Sequence, residues 1–281
     1  MSYQNPLPPE GINVTRENHL AALFWLVIGF VAFIAASVAI LYLAGGFLIS
    51  HMPFRWEVAL VEQFERLTPT TPRSPREKLL QQLADRLAAK AEFPPEITFR
   101  IHYVDDGDVN AYAQLGGNII MHRGLMERLD SENALAFVLA HEMSHVIHRD
   151  PAEVAGGQLL VASVLGAVAA SGGFDLLQGL TGSTRTLTLR SFSRENERAA
   201  DLAAMQIVGK FYGHLGGVEK VFSELVAFEH ALGVDWVPEM LSTHPDGQKR
   251  LSSLPLEAEK TGLSLTGKLT PLPLGLQKRQ E

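Results

Sequence analysis

Residues Leu20 to Ser50 carry no charged side chain, and most of them are Leu, Ile, Val, Ala or Phe. A helix of that length reaches about 45 Å, more than the roughly 30 Å of hydrocarbon in a bilayer. So long an uncharged run is unusual for a buried helix of a soluble domain. The first expectation is therefore an uncleaved membrane-spanning helix, with Ala22 to Ala44 as its spanning part. Trp25 stands near one end, and His51, Phe54, Arg55 and Trp56 follow the other; these residue types suit the membrane interfaces. A cleaved signal peptide fits less well. Its apolar core is usually about 7–15 residues behind a basic leader, and here the leader offers Arg16 as its one Lys or Arg. Arg55 and Arg66 follow the run, then Arg73, Arg76 and Lys78. Counting basic residues alone, this asymmetry expects a cytoplasmic main domain.

The formal net charge of −7, from 24 Lys and Arg against 31 Asp and Glu, argues against a nucleic-acid partner held by a broad basic surface. Cysteine is absent. That removes disulfides, thiol nucleophiles and Cys-ligated zinc, so any metal must be held by His, Asp or Glu.

Beyond the apolar run, Ser74-Pro75 marks a helix start, and Leu79, Leu80, Leu83 and Leu87 recur at helical spacing to about Ala91. Pro94-Pro95 ends that element. Ile97 to Val104 reads as a strand, with Asp105 to Asp108 as its turn. Val109 to Leu115 and Asn118 to Met121 flank Gly116-Gly117 as a hairpin. Ser131 is the expected N-cap of a helix running to about Arg149, ahead of Pro151. Further helices are expected over Arg194–Phe211 and Val218–Leu232. The residues after Pro255 carry no legible pattern. The expected regions are a tail at 1–19, an anchor at 20–50, an α+β domain at 51–254, mostly helical with a small sheet, and a C-terminal tail at 255–281.

Within the 131–149 helix lies His141-Glu142-Met143-Ser144-His145. Residues four apart share a helix face, so both imidazoles can reach one metal ion, and Glu142 sits beside the first of them. This is the His-Glu-x-x-His zinc pattern. The apolar residues before it (Ala134, Leu135, Phe137, Val138, Leu139, Ala140) point to a buried helix, where unpartnered imidazoles are costly and a metal would satisfy them. Catalytic zinc usually takes three protein ligands. His148 is one candidate for the third, but an unbroken helix carries it a turn onward. Glu197 is another, four residues before Asp201, so that one carboxylate could bind metal while the other orients an imidazole. Glu195 is a third. Taken alone, the stretch Ser193 to Asp201 reads first as a charged, solvated helix face.

Four blocks together resemble the HtpX-type and CAAX-prenyl-protease-type membrane zinc metallopeptidases, peptidase family forty-eight of the metallo class. They are Val109-Asn110-Ala111-Tyr112-Ala113 with Gly116-Gly117 and Arg123-Gly124-Leu125; His141 to His145; Ser193-Arg194 with Glu197 and Ala200-Asp201; and Ser242-Thr243-His244-Pro245 followed by Arg250. The resemblance implies a zincin-like (gluzincin) fold with one zinc ion per chain on His141, His145 and Glu197. It implies Glu142 as catalytic base, Asp201 as orienter of a ligand, and His244 near the substrate oxyanion. It also implies Asn110, Ala111 and Tyr112 as part of a substrate-side edge strand on which an extended peptide could pair.

Those expectations make the chain a single-pass, bilayer-anchored zinc metalloendopeptidase. Its partner would be an unfolded or membrane-associated polypeptide, and the resemblance suggests membrane-protein quality control. The alternatives are a non-catalytic membrane adaptor that kept the fold, or a zinc hydrolase acting on something other than peptides. The chain departs from many-spanning relatives in having one clear anchor. A second apolar stretch, Val154 to Phe174, lies between the His pair and Glu197. A single crossing there would put the ligands on opposite sides of the membrane. The stretch therefore reads as a core or membrane-surface helix in preference to a membrane hairpin.

Overall fold

The computed structural model describes residues 19–65, 74–172, 192–231, 244 and 247–277, in two compact units that part between Leu41 and Tyr42. In chain order the described elements are α1 (His19–Ser50), α2 (Phe54–Glu65), α3 (Pro75–Ala91), β1 (Arg100–Val104), β2 (Ala111–Ala113), β3 (Asn118–His122), α4 (Arg123–Met126), α5 (Glu132–His148), α6 (Asp150–Gly172), α7 (Arg194–Tyr212), α8 (Val218–Ala231) and α9 (Gly247–Thr261). The first unit is the leading part of α1, a helix long and apolar enough to cross a membrane.

The second unit is assembled around α5. Ser131 Oγ accepts the Ala134 N–H and starts the helix. Every residue from Glu132 to Val146 is buried, the pattern of a helix enclosed on all sides. It packs against α7 most extensively, and also against α3, α8 and β2. α3 begins with a reciprocal cap: Ser74 Oγ accepts from Glu77 N, and Glu77 Oε2 accepts from Ser74 N. Its Leu80, Leu83, Ala84 and Leu87 are buried. Expected Leu79 is only partly so.

The sheet order is β1-β3-β2, with β1 parallel and β2 antiparallel to β3. α3 serves the outer edge of β1: Glu77 Oε1 accepts from Tyr103 N and Gln81 Oε1 from Ile101 N. Among the described residues β2 forms the opposite edge. The first strand starts at Arg100, later than the expected Ile97, because Ile97 N–H closes a turn onto Pro94 O at 3.0 Å. The hairpin turn passes through Gly116 and Gly117 at φ 73° and 75°, a left-handed region that glycine enters without steric cost. A Cβ on Gly117 would stand 2.0 Å from Thr98 O.

α6 follows α5 after one residue, Arg149, at φ 67°, and takes up the second apolar stretch as a single helix to Gly172. Its Gly156 crosses Gly45 of α1 so closely that a Cβ on either would stand 2.4 Å from the other's carbonyl oxygen. Residues after Pro255 hold more order than their sequence announced. α9 runs through Pro255 and buries Leu254 and Ala258. The chain beyond it then returns to the start of α5. Thr270 O accepts from Glu132 N, Thr270 N donates to Asn133 Oδ1, and Leu276 is buried. Leu139, fully buried in the helix that carries the motif, is the most direct probe of this packing. Leu139→Ala is expected to cost about 2–5 kcal/mol, read from denaturant unfolding of the detergent-solubilised chain.

Candidate metal centre and active site

The helical repeat of α5 stacks His141 and His145 on one face, and their Nε2 atoms lie 3.1 Å apart. α7, capped where Ser193 Oγ accepts from Asn196 N, delivers Glu197 to the same point. Glu197 Oε2 is 3.5 Å from His141 Nε2, and Oε1 is 3.5 Å from His145 Nε2. All three side chains are buried. The other two candidates for a third ligand stay outside: His148, the last residue of α5, and Glu195 are both exposed. His244 also reaches the cluster, with Nδ1 2.9 Å from Glu197 Oε1 and 3.4 Å from His141 Nε2. Its Nε2 is 3.6 Å from Glu142 Oε1.

A metal ion suits these donors. Ligand atoms about 2.1 Å from a tetrahedral centre stand about 3.4 Å from one another, close to the separations found. Each imidazole also turns its other nitrogen to a carboxylate. Asp201 Oδ1 lies 3.0 Å from His141 Nδ1, and Asp150 Oδ2 lies 2.7 Å from His145 Nδ1. A proton held on each Nδ1 leaves the Nε2 lone pairs facing the common point. Charge gives a second reason. Glu142, Asp150, Glu197 and Asp201 are all buried, and buried carboxylates in excess call for a cation. Glu142 Oε2 and His244 Nε2 are buried without a hydrogen-bond partner among the described residues.

The electrostatics are mutual. Burial alone would raise the Glu197 carboxyl, but the imidazoles of His244, His141 and His145 overcome it and hold the group well below its usual range. Burial likewise opposes ionisation of Asp201, and Arg250 with His141 brings its pKa down. For His141 and His145, burial works against the charged ring; Asp201, Asp150 and Glu197 outweigh it and raise both.

Residues 74–258 match Peptidase family M48. The chain belongs to that family. It is 31% identical over 183 residues to a beta-barrel assembly-enhancing protease of Yersinia pestis, covering 62% of this chain and 37% of that protein. Its identity to the beta-barrel assembly-enhancing protease of Escherichia coli (strain K12) is 30% over 164 residues, 55% of this chain and 33% of the relative. With the mitochondrial metalloendopeptidase OMA1 of Danio rerio it shares 28% over 192 residues, 64% of this chain and 40% of the relative. The matched segment thus spans 40% or less of the length of each of these relatives.

The structure also assembles residues to which the sequence alone attached no role. Asp150, the partner of His145, opens α6 just past the left-handed Arg149; its one sequence signal was an acid before Pro151 at a helix boundary. Asn196 Nδ2 donates to Asp150 Oδ1 in turn. Arg250 stood in the fourth motif block without an assignment. Its Nε and Nη2 bind the two oxygens of Asp201 at 2.8 and 2.7 Å, and Nη1 is 3.0 Å from Glu197 Oε2. Phe192 stacks on His145 at 4.2 Å. Asn110 precedes strand β2, and Ala111 and Tyr112 begin it; Asn110 and Ala111 are buried and Tyr112 is half-buried. Asp150→Ala should leave the chain folded and weaken divalent-metal affinity by about 10–100-fold, the effect of removing an imidazole's carboxylate partner. Competition against a chromophoric chelator measures it.

Proposed function

We propose that this chain is a membrane-anchored zinc metalloendopeptidase of the gluzincin type. The observation that supports it most is the convergence of His141, His145 and Glu197 on one point with Glu142 beside them. The ligands would be those three side chains, with one zinc ion per chain. Bound there, zinc supplies Lewis-acid polarisation of a scissile carbonyl and lowers the pKa of water.

The rest of the chemistry falls to this chain's own residues. Glu142, buried and facing His244, is the general base: its carboxylate takes a proton from the attacking water and passes it to the leaving amine. His244 stands beside both the base and the ligand set, where it stabilises the developing oxyanion, a role worth about 3 kcal/mol for a single donor. Asp201 orients His141, and Arg250 holds Asp201. Among the described residues β2 is an edge strand of the sheet, packed against α5, and an extended polypeptide would add by main-chain pairing along the strand that follows Asn110 and begins with Ala111 and Tyr112.

The anchor is α1. An exposed Trp56 on α2, just past its end, suits the membrane interface, and the basic residues after α1 favour a cytoplasmic catalytic unit. Relatives named for beta-barrel assembly and for mitochondrial endopeptidase activity support unfolded or membrane-associated proteins as substrates, and a role in membrane-protein quality control. A non-catalytic adaptor has no use for Glu142 in this position.

The deciding experiment is metal analysis with a casein-cleavage assay on the full-length chain. Glu142→Gln is expected to keep its zinc and lose at least about a hundredfold in kcat; full activity would remove Glu142 from the mechanism. Glu197→Ala should lose zinc, and unchanged zinc affinity would reject it as a ligand. His244→Phe should keep zinc while kcat falls about a hundredfold. Loss of zinc in that variant would instead make His244 a fourth ligand.

A further inference from the structure

The hairpin that carries β2 is held from a side that the catalytic chemistry does not use. The N–H of Gly116, in its turn, donates to Glu57 Oε1 at 2.6 Å. Glu57 lies on α2, and its side chain is only 4% exposed. The carboxylate's other oxygen is 2.9 Å from Arg149 Nη2. That same nitrogen donates to Ile49 O at 3.2 Å and Met52 O at 3.0 Å, carbonyls at the C-terminal end of α1. A cation there complements the leftover carbonyls and dipole of a helix end. The Arg149 guanidinium also faces the Phe54 ring at 5.4 Å.

Arg149 is itself tied to the metal cluster through the backbone. It is the left-handed C-cap of α5, four residues after His145 and one before Asp150, and its N–H closes onto the carbonyls of His145 and Val146. A non-glycine residue in that conformation costs about 1 kcal/mol, which its polar contacts offset. Burial pushes the Glu57 carboxyl up, against the Gly116 N–H and Arg149, which pull it down. An ion pair serving stability alone would need no acceptor on the turn. Here the carboxylate bridges the turn of the edge-strand hairpin to the end of α1.

We propose that Glu57 and Arg149 are positioning residues for polypeptide binding, which hold the β2 hairpin in register from the last turn of α1 and so make the membrane-proximal segment a working part of the substrate site. This rests on β2 being the strand with which substrate pairs.

The test uses the full-length chain carrying Glu142→Gln, so that bound polypeptide is not cut, with fluorescein-labelled β-casein as the probe and polarisation as the readout. Glu57→Ala is expected to weaken binding about tenfold, while Glu57→Gln, which keeps an oxygen for the Gly116 N–H, returns to within about threefold of the parent. Arg149→Met should resemble Glu57→Ala, and the double variant should be no weaker than either, as for two members of one relay. Metal content and helicity should stay at the parent's level throughout. Parental affinity in Glu57→Ala, or full additivity in the double variant, overturns the proposal, as does a parent that binds no casein. If Glu57→Ala loses helicity, Arg149→Gln decides, because a shorter, neutral amide with two N–H donors cannot bring one nitrogen to two carbonyls and a carboxylate. Binding about fivefold weaker is then expected, and parental affinity overturns the proposal. Casein cleavage by the wild-type chain is scored separately. Binding that follows this pattern without cleavage would sink peptide hydrolysis and leave the positioning role standing.

Discussion

Four carboxylates buried around one point set the terms for the rest of the catalytic unit. Glu142, Asp150, Glu197 and Asp201 have little access to water, and an isolated buried carboxylate is among the costliest groups a fold can hold. Positive or donor groups must therefore converge on the same place. Arg250 answers Asp201 and Glu197, and the rings of His141, His145 and His244 fill the space between. A divalent ion completes the balance in the proposed enzyme. α5, buried from Glu132 to Val146, holds two of these imidazoles and one of these carboxylates on a frame fixed by packing on all sides.

The same constraint explains how the elements join. α5 must end soon after His145 so that an acid can turn back onto that ring. Arg149 makes the break by adopting a left-handed conformation, and Asp150 then opens α6 within reach of His145 Nδ1. α7 starts at a serine cap that presents Glu197 and Asp201, one turn apart, to the two histidines. The guanidinium of Arg149 leaves the break in the other direction, toward α1 and α2, so Arg149 and Glu57 together link the end of the motif helix to the hairpin turn.

Much of this was legible before any coordinates. The caps at Ser74 and Ser131, the strand and hairpin before α5, and the helices at 194 and 218 follow from periodicity and local hydrogen-bonding chemistry, which act over a few residues. The strand beginning at Arg100 was misplaced by a few residues because a turn onto Pro94 consumed its start. The segment after Pro255 was unreadable for a different reason. Its order comes from Thr270 meeting Glu132 and Asn133, far away in the chain, and an internal proline hid the helix.

The candidate site divides along the same line. The His141–His145 pair was visible because four residues make one helical turn. The choice of Glu197 over His148 and Glu195 came only through the resemblance of the four blocks, since by residue type any of them can donate to a metal. What separates them is packing: α7 lies against α5 and turns Glu197 inward, while Glu195 and His148 face outward. Asp150 and Arg250 carried no local signal for their tasks, because a carboxylate beside an imidazole and a guanidinium beside a carboxylate are contacts across space. By itself, then, the sequence determined which stretches are helical, which run is apolar enough for a membrane and which two imidazoles share a face, all of them short-range properties of the chain. Only the tertiary structure decided which charges meet, because enclosing them together is a property of helices packed from distant parts of that chain.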